Sequence, residues 1–98
     1  MAKKQAAGKA DMKEWARGFS LLSDPTRLGI LKVLSRGPSN VTALCRSLGV
    51  NPPIMSHHLG LLRMGRLVDG ARAGKSVVYE ANAARLKDLA AALAQLMP

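Results

Sequence analysis

Ser56, His57 and His58 stand side by side in the segment SHHLGLLR, and these two histidines are the only ones in the chain. Paired imidazoles can bind a metal or act as bases. Two ligands offered to one metal from one helix need a spacing of three or four residues, whereas adjacent helical residues point about 100° apart. No Asp or Glu shares the segment to serve as a third ligand or to orient a ring behind the serine. Neither a chelate nor a Ser-His-acid triad is therefore built here. The two rings divide instead. His58 falls on the apolar side with Leu59 and Leu62 and is predicted to pack beneath its helix. His57 faces outward beside Ser56, a hydrogen-bonding side chain available to a partner.

Other chemistry is scarce. The single cysteine, Cys45, excludes an internal disulfide and a four-cysteine zinc site, and reads as a small buried apolar residue. There is no paired carboxylate, no glycine-rich phosphate loop and no activated nucleophile, so no catalytic residue is assigned. No metal site and no cofactor are expected, and the chain does not read as an enzyme.

The charge is more informative. Fifteen Lys and Arg stand against six Asp and Glu, a formal net charge of +9, which calls for an anionic partner: nucleic acid, an anionic membrane or an acidic protein. With one Trp, one Tyr and one Phe, the chain lacks the aromatic platforms on which single-strand binders stack bases. No apolar run is long enough to span a bilayer, and the basic N-terminus is not followed by the apolar core of a secretory signal. A soluble, cytoplasmic, nucleoid-associated protein is expected.

At 98 residues the chain has room for one domain and one modest core. Residues 1–10 read as a disordered basic tail and 11–98 as the folded domain. Asp11 caps a first helix whose Met12, Trp15, Phe19 and Leu22 recur at helical spacing. Ser23-Asp24-Pro25 starts a second helix, running to about Arg36 and burying Leu28, Leu31 and Val33 or Leu34, which Gly37-Pro38 ends. Asn40 caps a short third helix, with Val41, Leu44, Cys45 and Leu48 inward and Gly49 as its stop. The fourth spans roughly Pro52 to Met64, with Ile54 or Met55, His58, Leu59, Leu61 and Leu62 inward. Gly29 and Gly60 sit inside helices at roughly 1 kcal/mol each relative to alanine, which close helix packing would explain. The period then turns extended: Leu67-Val68-Asp69 and Lys75 to Glu80 form a β-hairpin around the basic turn 70–74. Asn82 caps a last helix carrying Leu86, Leu89, Leu93 and Leu96.

The fold predicted is mainly α with a small β-hairpin: a winged helix-turn-helix of four helices, hairpin and fifth helix. In such a pair the second helix enters the major groove if its outer face carries hydrogen-bonding side chains. The DNA-binding candidates are Asn51, Pro53, Ser56 and His57 near its start, Arg63 and Arg66 toward its end for the backbone, Thr42 on the preceding helix, and Arg72 and Lys75 in the wing. Pro52-Pro53 stiffens the helix start and removes two N–H donors.

The segments LLSDPTRLGILKVL, VTALCRSLGVNPPIMSHHLGLLR and LVDGARAGKSVVYE, taken in order, resemble the ArsR/SmtB family of small bacterial transcriptional repressors over roughly residues 12 to 97. The resemblance implies a homodimer on an imperfectly palindromic double-stranded operator, with the first and last helices at the interface. Met12, Trp15, Phe19, Leu86, Leu89, Leu93 and Leu96 are the matching apolar candidates, and closed two-fold dimers are the commonest assembly. Known metal sites of the family do not carry over. A Cys-x-Cys pair of the third helix aligns with Asn40 and Thr42, and an Asp-His-Glu set of the last helix leaves only Asp88 here. Relatives usually place glycine where Arg66 stands, so the helix exit is expected one residue out of step. The small-molecule effector is left open. The competing reading is a winged-helix module for protein contact.

Overall fold

The computed structural model describes residues 9–98; the tail assigned to residues 1–10 lies, up to residue 8, outside them. Eight elements follow in order: α1 (Lys9–Leu21), α2 (Pro25–Leu34), β1 (Ser39–Asn40), α3 (Val41–Leu48), α4 (Pro52–Met64), β2 (Val68–Ala73), β3 (Ser76–Ala81) and α5 (Ala83–Gln95). Helix α1 starts at Lys9, two residues before the expected Asp11, which stands in its first turn.

The other four helices begin by one device. Asp24, Asn40, Asn51 and Asn82 each adopt extended backbone and accept, through a side-chain oxygen, the N–H three residues on. This satisfies a donor that the helix leaves free. Pro25 and Pro52 follow two of these caps at positions whose N–H is not needed. Gly49 closes α3 in the left-handed conformation, φ 65°, where a Cβ would be strained.

Two expectations about the sheet are corrected. It has three strands rather than two, in the order β1-β3-β2, all antiparallel. Ser39 and Asn40 pair with Tyr79 and Val78, tying the start of α3 to the wing. The hairpin is also longer and its turn tighter than read from the sequence. β2 runs to Ala73, placing Arg72 within the strand opposite Val77, and only Gly74 and Lys75 make the turn.

The core lies where α2, α3 and α4 meet the base of the sheet. Ile30, Leu44, Met55, Leu59, Leu62, Leu67 and Val68 are fully buried, with Leu31, Leu34 and Leu89 closing around them. One phase choice goes against the expectation, since Ile30 rather than Leu28 is buried in α2; the open choice in α4 falls to Met55, leaving Leu28 and Ile54 exposed. Gly29 does meet a neighbour, since a Cβ there would touch Leu48 Cδ2 at 3.0 Å, but one at Gly60 would meet nothing within 4 Å, so packing does not explain Gly60.

The exit of α4 is not out of step. Arg66 itself takes the left-handed conformation, φ 61°, while Gly65 remains at φ −84°. Gly65 is held for another reason: a Cβ on it would collide with the Leu21 side chain of α1.

Candidate nucleic-acid interface

Helices α3 and α4 are joined by Gly49, Val50 and Asn51, and α4 rests on the core through Met55, Leu59 and Leu62. At 100° per residue the opposite side carries Pro53, His57, Gly60 and Met64, with Ser56 and Arg63 on one flank and Ile54 on the other. All seven are exposed. The outer face of α4 is therefore a free rod about 18 Å long, of a width the major groove admits.

His58 is locked from below. Its Nδ1 lies 3.1 Å from Arg27 Nη1. Arginine can only donate, so Nδ1 accepts and the ring proton sits on Nε2. Arg27 is fixed in turn by its Nε, which donates to Leu21 O at 2.7 Å, and by its backbone N–H, which donates to Asp24 Oδ2 at 3.0 Å. The backbone hydrogen bond from Arg27 holds the Asp24 carboxyl below the ordinary aspartate range; partial desolvation opposes this, while His58, the Thr26 N–H and the Arg27 charge assist it. His58 Nδ1 is 3.8 Å from Asp24 Oδ2, an ion pair only when the ring is protonated. The pair Asp24–Arg27 thus clamps α4 to the start of α2. His57 stays outside, its ring 5.4 Å from that of His58 and edge-on to it. One histidine is structural and the other is free.

The DNA-binding candidates fall into separate places. Asn51, Pro53, Ser56 and His57 are together on the exposed start of α4. Asn51 has its Oδ1 engaged with the Ile54 N–H at 3.0 Å, so only its amide N–H2 remains for a partner. Thr42 is exposed on α3, while Arg72 and Lys75 project from the wing. Arg66 does not join them. It lines a groove of about 650 Å³ between α1 and the end of α4, with Arg17, Leu21 and Arg85. Ile54, Gly60 and Met64 were missed: their apolar or featureless types gave no signal, and only their exposure places them on the outer face.

The surrounding charge is one-sided. From Pro25 to Val68 the chain has no acidic side chain, while Arg27, Lys32, Arg36, Arg46, Arg63 and Arg66 lie within the same span. Among the described residues no three His, Cys, Asp or Glu side chains converge. Cys45 is half-buried, packed against the core, and unpaired. No helix among them is long and apolar enough to cross a membrane.

The flank made by α1 and α5 differs from this interface. Glu14 accepts from Arg85 Nη2 at 3.1 Å, and Arg85 Nε donates to Gly65 O at 3.3 Å, joining both helices to the end of α4. Of the seven dimer candidates, Leu89 is already buried within the chain against Gly18, and Phe19 and Leu86 are packed on the core. Trp15 is half-buried, whereas Met12, Leu93 and Leu96 are exposed, as is Met97 beyond them.

Known proteins share this arrangement. A family model described as bacterial regulatory protein, arsR family, matches residues 24–69. The transcriptional repressor SdpR of Bacillus subtilis is 31% identical over 71% of this chain and 78% of its own length. The HTH-type transcriptional regulator NmtR of Mycobacterium tuberculosis is 44% identical over 65% of this chain, but over 53% of its own length. The chain thus spans about half the length of some curated relatives it matches. An ArsR-like transcriptional regulator from Rhodococcus sp. RHA1 superposes with a TM-score of 0.80 at 31% identity, covering 90% of this chain and 83% of that one. The solution structure of a homodimeric winged helix-turn-helix DNA-binding domain from Mycobacterium bovis does so with a TM-score of 0.75 at 26% identity, covering 91% and 87%.

Proposed function

Because this chain belongs to the ArsR family of bacterial regulatory proteins, we propose that it is a sequence-specific, double-stranded DNA-binding transcriptional regulator acting as a homodimeric repressor. Its family is one of regulators and not of enzymes. One observation carries the reading: the outer face of α4 is free along its length, begins with Ser56 and His57, and belongs to a span without a single carboxylate. A protein-docking helix has no need of that charge; a polyanion does.

In this reading α4 lies in the major groove. Ser56 and His57 hydrogen-bond base edges, and Thr42, Asn51 and Pro53 flank them. Arg63, Arg72 and Lys75 hold phosphates and set the register. Two copies joined through Met12, Trp15, Leu93 and Leu96 present two α4 helices to an imperfect palindrome, its half-sites one or more helical turns of about 34 Å apart. The two known family metal sites are not rebuilt. Asn40 offers an amide already spent in capping α3, where its Oδ1 accepts from Ala43 N–H at 2.8 Å, and α5 contains no histidine.

Salt-titrated binding to an operator and to a scrambled duplex tests these roles. Arg72→Ala or Lys75→Ala should weaken binding to both and flatten the slope of log K against log salt by about 1. His57→Ala should cost about 1–3 kcal/mol on the operator alone. Undiminished selectivity in both Ser56→Ala and His57→Ala would refute the base-reading assignment.

A further inference from the structure

Four glycines of this chain raise the question of what their missing side chain permits. At Gly18 a Cβ would meet Leu89 Cδ2 at 2.6 Å, at Gly29 it would meet Leu48 Cδ2 at 3.0 Å, and at Gly65 it would collide with Leu21. Each of these three is explained by a neighbour within the chain. Gly60 is not. It lies in the middle of α4, its φ is not in the left-handed region, and a Cβ on it would meet nothing within 4 Å. Nothing in the described chain demands glycine there. Yet glycine is the poorest helix former after proline, and exposed helix interiors favour alanine or a long straight side chain.

Its position on the helix supplies a reason from outside. Gly60 is on the side opposite Met55, Leu59 and Leu62, one turn beyond His57 and one before Met64, at the centre of the outer face. A glycine is found where a ligand or another backbone must come close. We propose that Gly60 is the point of closest approach between α4 and DNA, where the helix backbone itself seats against the duplex. The proposal rests on the reading of α4 as the groove-binding helix. A side chain at this position would act as a spacer. It would lift the middle of the rod and pull Ser56 and His57 away from the base edges, although neither residue is altered.

This role makes stability and binding move in opposite directions, which an internal packing role could not do. The full chain and its Gly60→Ala and Gly60→Leu variants are compared by thermal unfolding and by binding to two duplexes: one enriched by the wild-type protein from a random-sequence pool, and its scrambled counterpart. Both variants should unfold at a higher temperature, by about 4 °C or more. Binding to the enriched duplex should fall by about fivefold for alanine and further for leucine. The loss should grow with side-chain size and be greater on the enriched duplex than on the scrambled one. Wild-type affinity in both variants overturns the close approach while leaving the DNA-binding reading intact. A lowered unfolding temperature also overturns it, by showing that the glycine serves the fold. If the wild-type protein enriches no sequence, the underlying reading fails and the close approach falls with it.

Discussion

The half of the molecule built from α2, α3, α4 and the sheet closes on itself; the flank built from α1 and α5 does not. In the first, Ile30, Leu44, Met55 and Leu62 are all fully buried, and every helix start is capped by a side chain of its own chain. In the second, Met12, Leu93, Leu96 and Met97 remain 43%, 54%, 62% and 65% exposed. Both halves come from the same leucine- and alanine-rich composition. What separates them is whether an apolar stripe finds a partner within the chain. Leu89 does, against Gly18, and it marks the line where α5 turns from core to unfinished surface. In the first half, folding is complete in one copy. In the second, the apolar area stays exposed in one copy, and the proposed two-fold dimer would cover it on both copies at once.

The largest effects should expose this division. Leu59→Ala removes a side chain that is 1% exposed at the centre of the core, and should cost about 2–5 kcal/mol. That is a large share of the stability of any small domain, so urea unfolding should shift to much lower midpoints and DNA binding should disappear with the fold. Leu93→Glu combined with Leu96→Glu, on the flank, should leave helical content close to that of the wild type. Sedimentation should then show monomers, with operator binding lost for want of a second α4. A double variant that stays dimeric would move the seam off α5 and break the comparison.

How much of this was legible in the sequence depends on the range of the interactions involved. The starts of α2, α3, α4 and α5 were readable because Asp24-Pro25, Asn40, Asn51-Pro52 and Asn82 act within three residues of themselves. The outward position of His57 and the half-buried position of His58 followed from the 100° step. The choice of Met55 over Ile54, and of Ile30 over Leu28, did not: each is a rotation by one residue of a stripe that is apolar either way, decided by distant neighbours. Strand β1 was hidden because two residues, Ser39 and Asn40, have no pattern of their own and exist as a strand only through Tyr79 and Val78. Gly60 was visible but misread, since only the folded chain shows that no neighbour needs it.

A smaller effect tests where the two halves meet. Arg66 holds φ 61° at the exit of α4, a conformation that costs a side-chain-bearing residue roughly 1–2 kcal/mol. Arg66→Gly should remove most of that strain and raise stability by up to about 1 kcal/mol, less what glycine adds to the entropy of the unfolded chain. If Arg66 also holds a phosphate, the same variant should bind DNA more weakly and with a salt slope shallower by about 1. A more stable protein with an unchanged salt slope would assign Arg66 to the α1–α4 groove alone.

The smallest effect should appear only in acid, and only in the self-sufficient half. The Asp24 carboxylate accepts the Arg27 N–H at the start of α2, and this hydrogen bond, before the contributions of His58 and Arg27 charge, keeps its pKa below the ordinary value. The folded chain therefore releases this proton more readily than the unfolded chain does. Its contribution is complete above the unfolded value of about 3.9, and is lost as pH falls through the lower folded value. Asp24→Asn keeps a capping oxygen, since asparagine caps as well as aspartate, but it cannot titrate. The gap in urea midpoint between wild type and variant should narrow as pH falls from about 5 toward 3. The mass of the assembly in solution should not change across that range, because Asp24 clamps α4 to α2 and has no part in the α1–α5 flank. Parallel pH curves for the two proteins would show that the clamp carries no charge-dependent stability, and narrowing accompanied by dissociation would relocate the titration to the dimer seam.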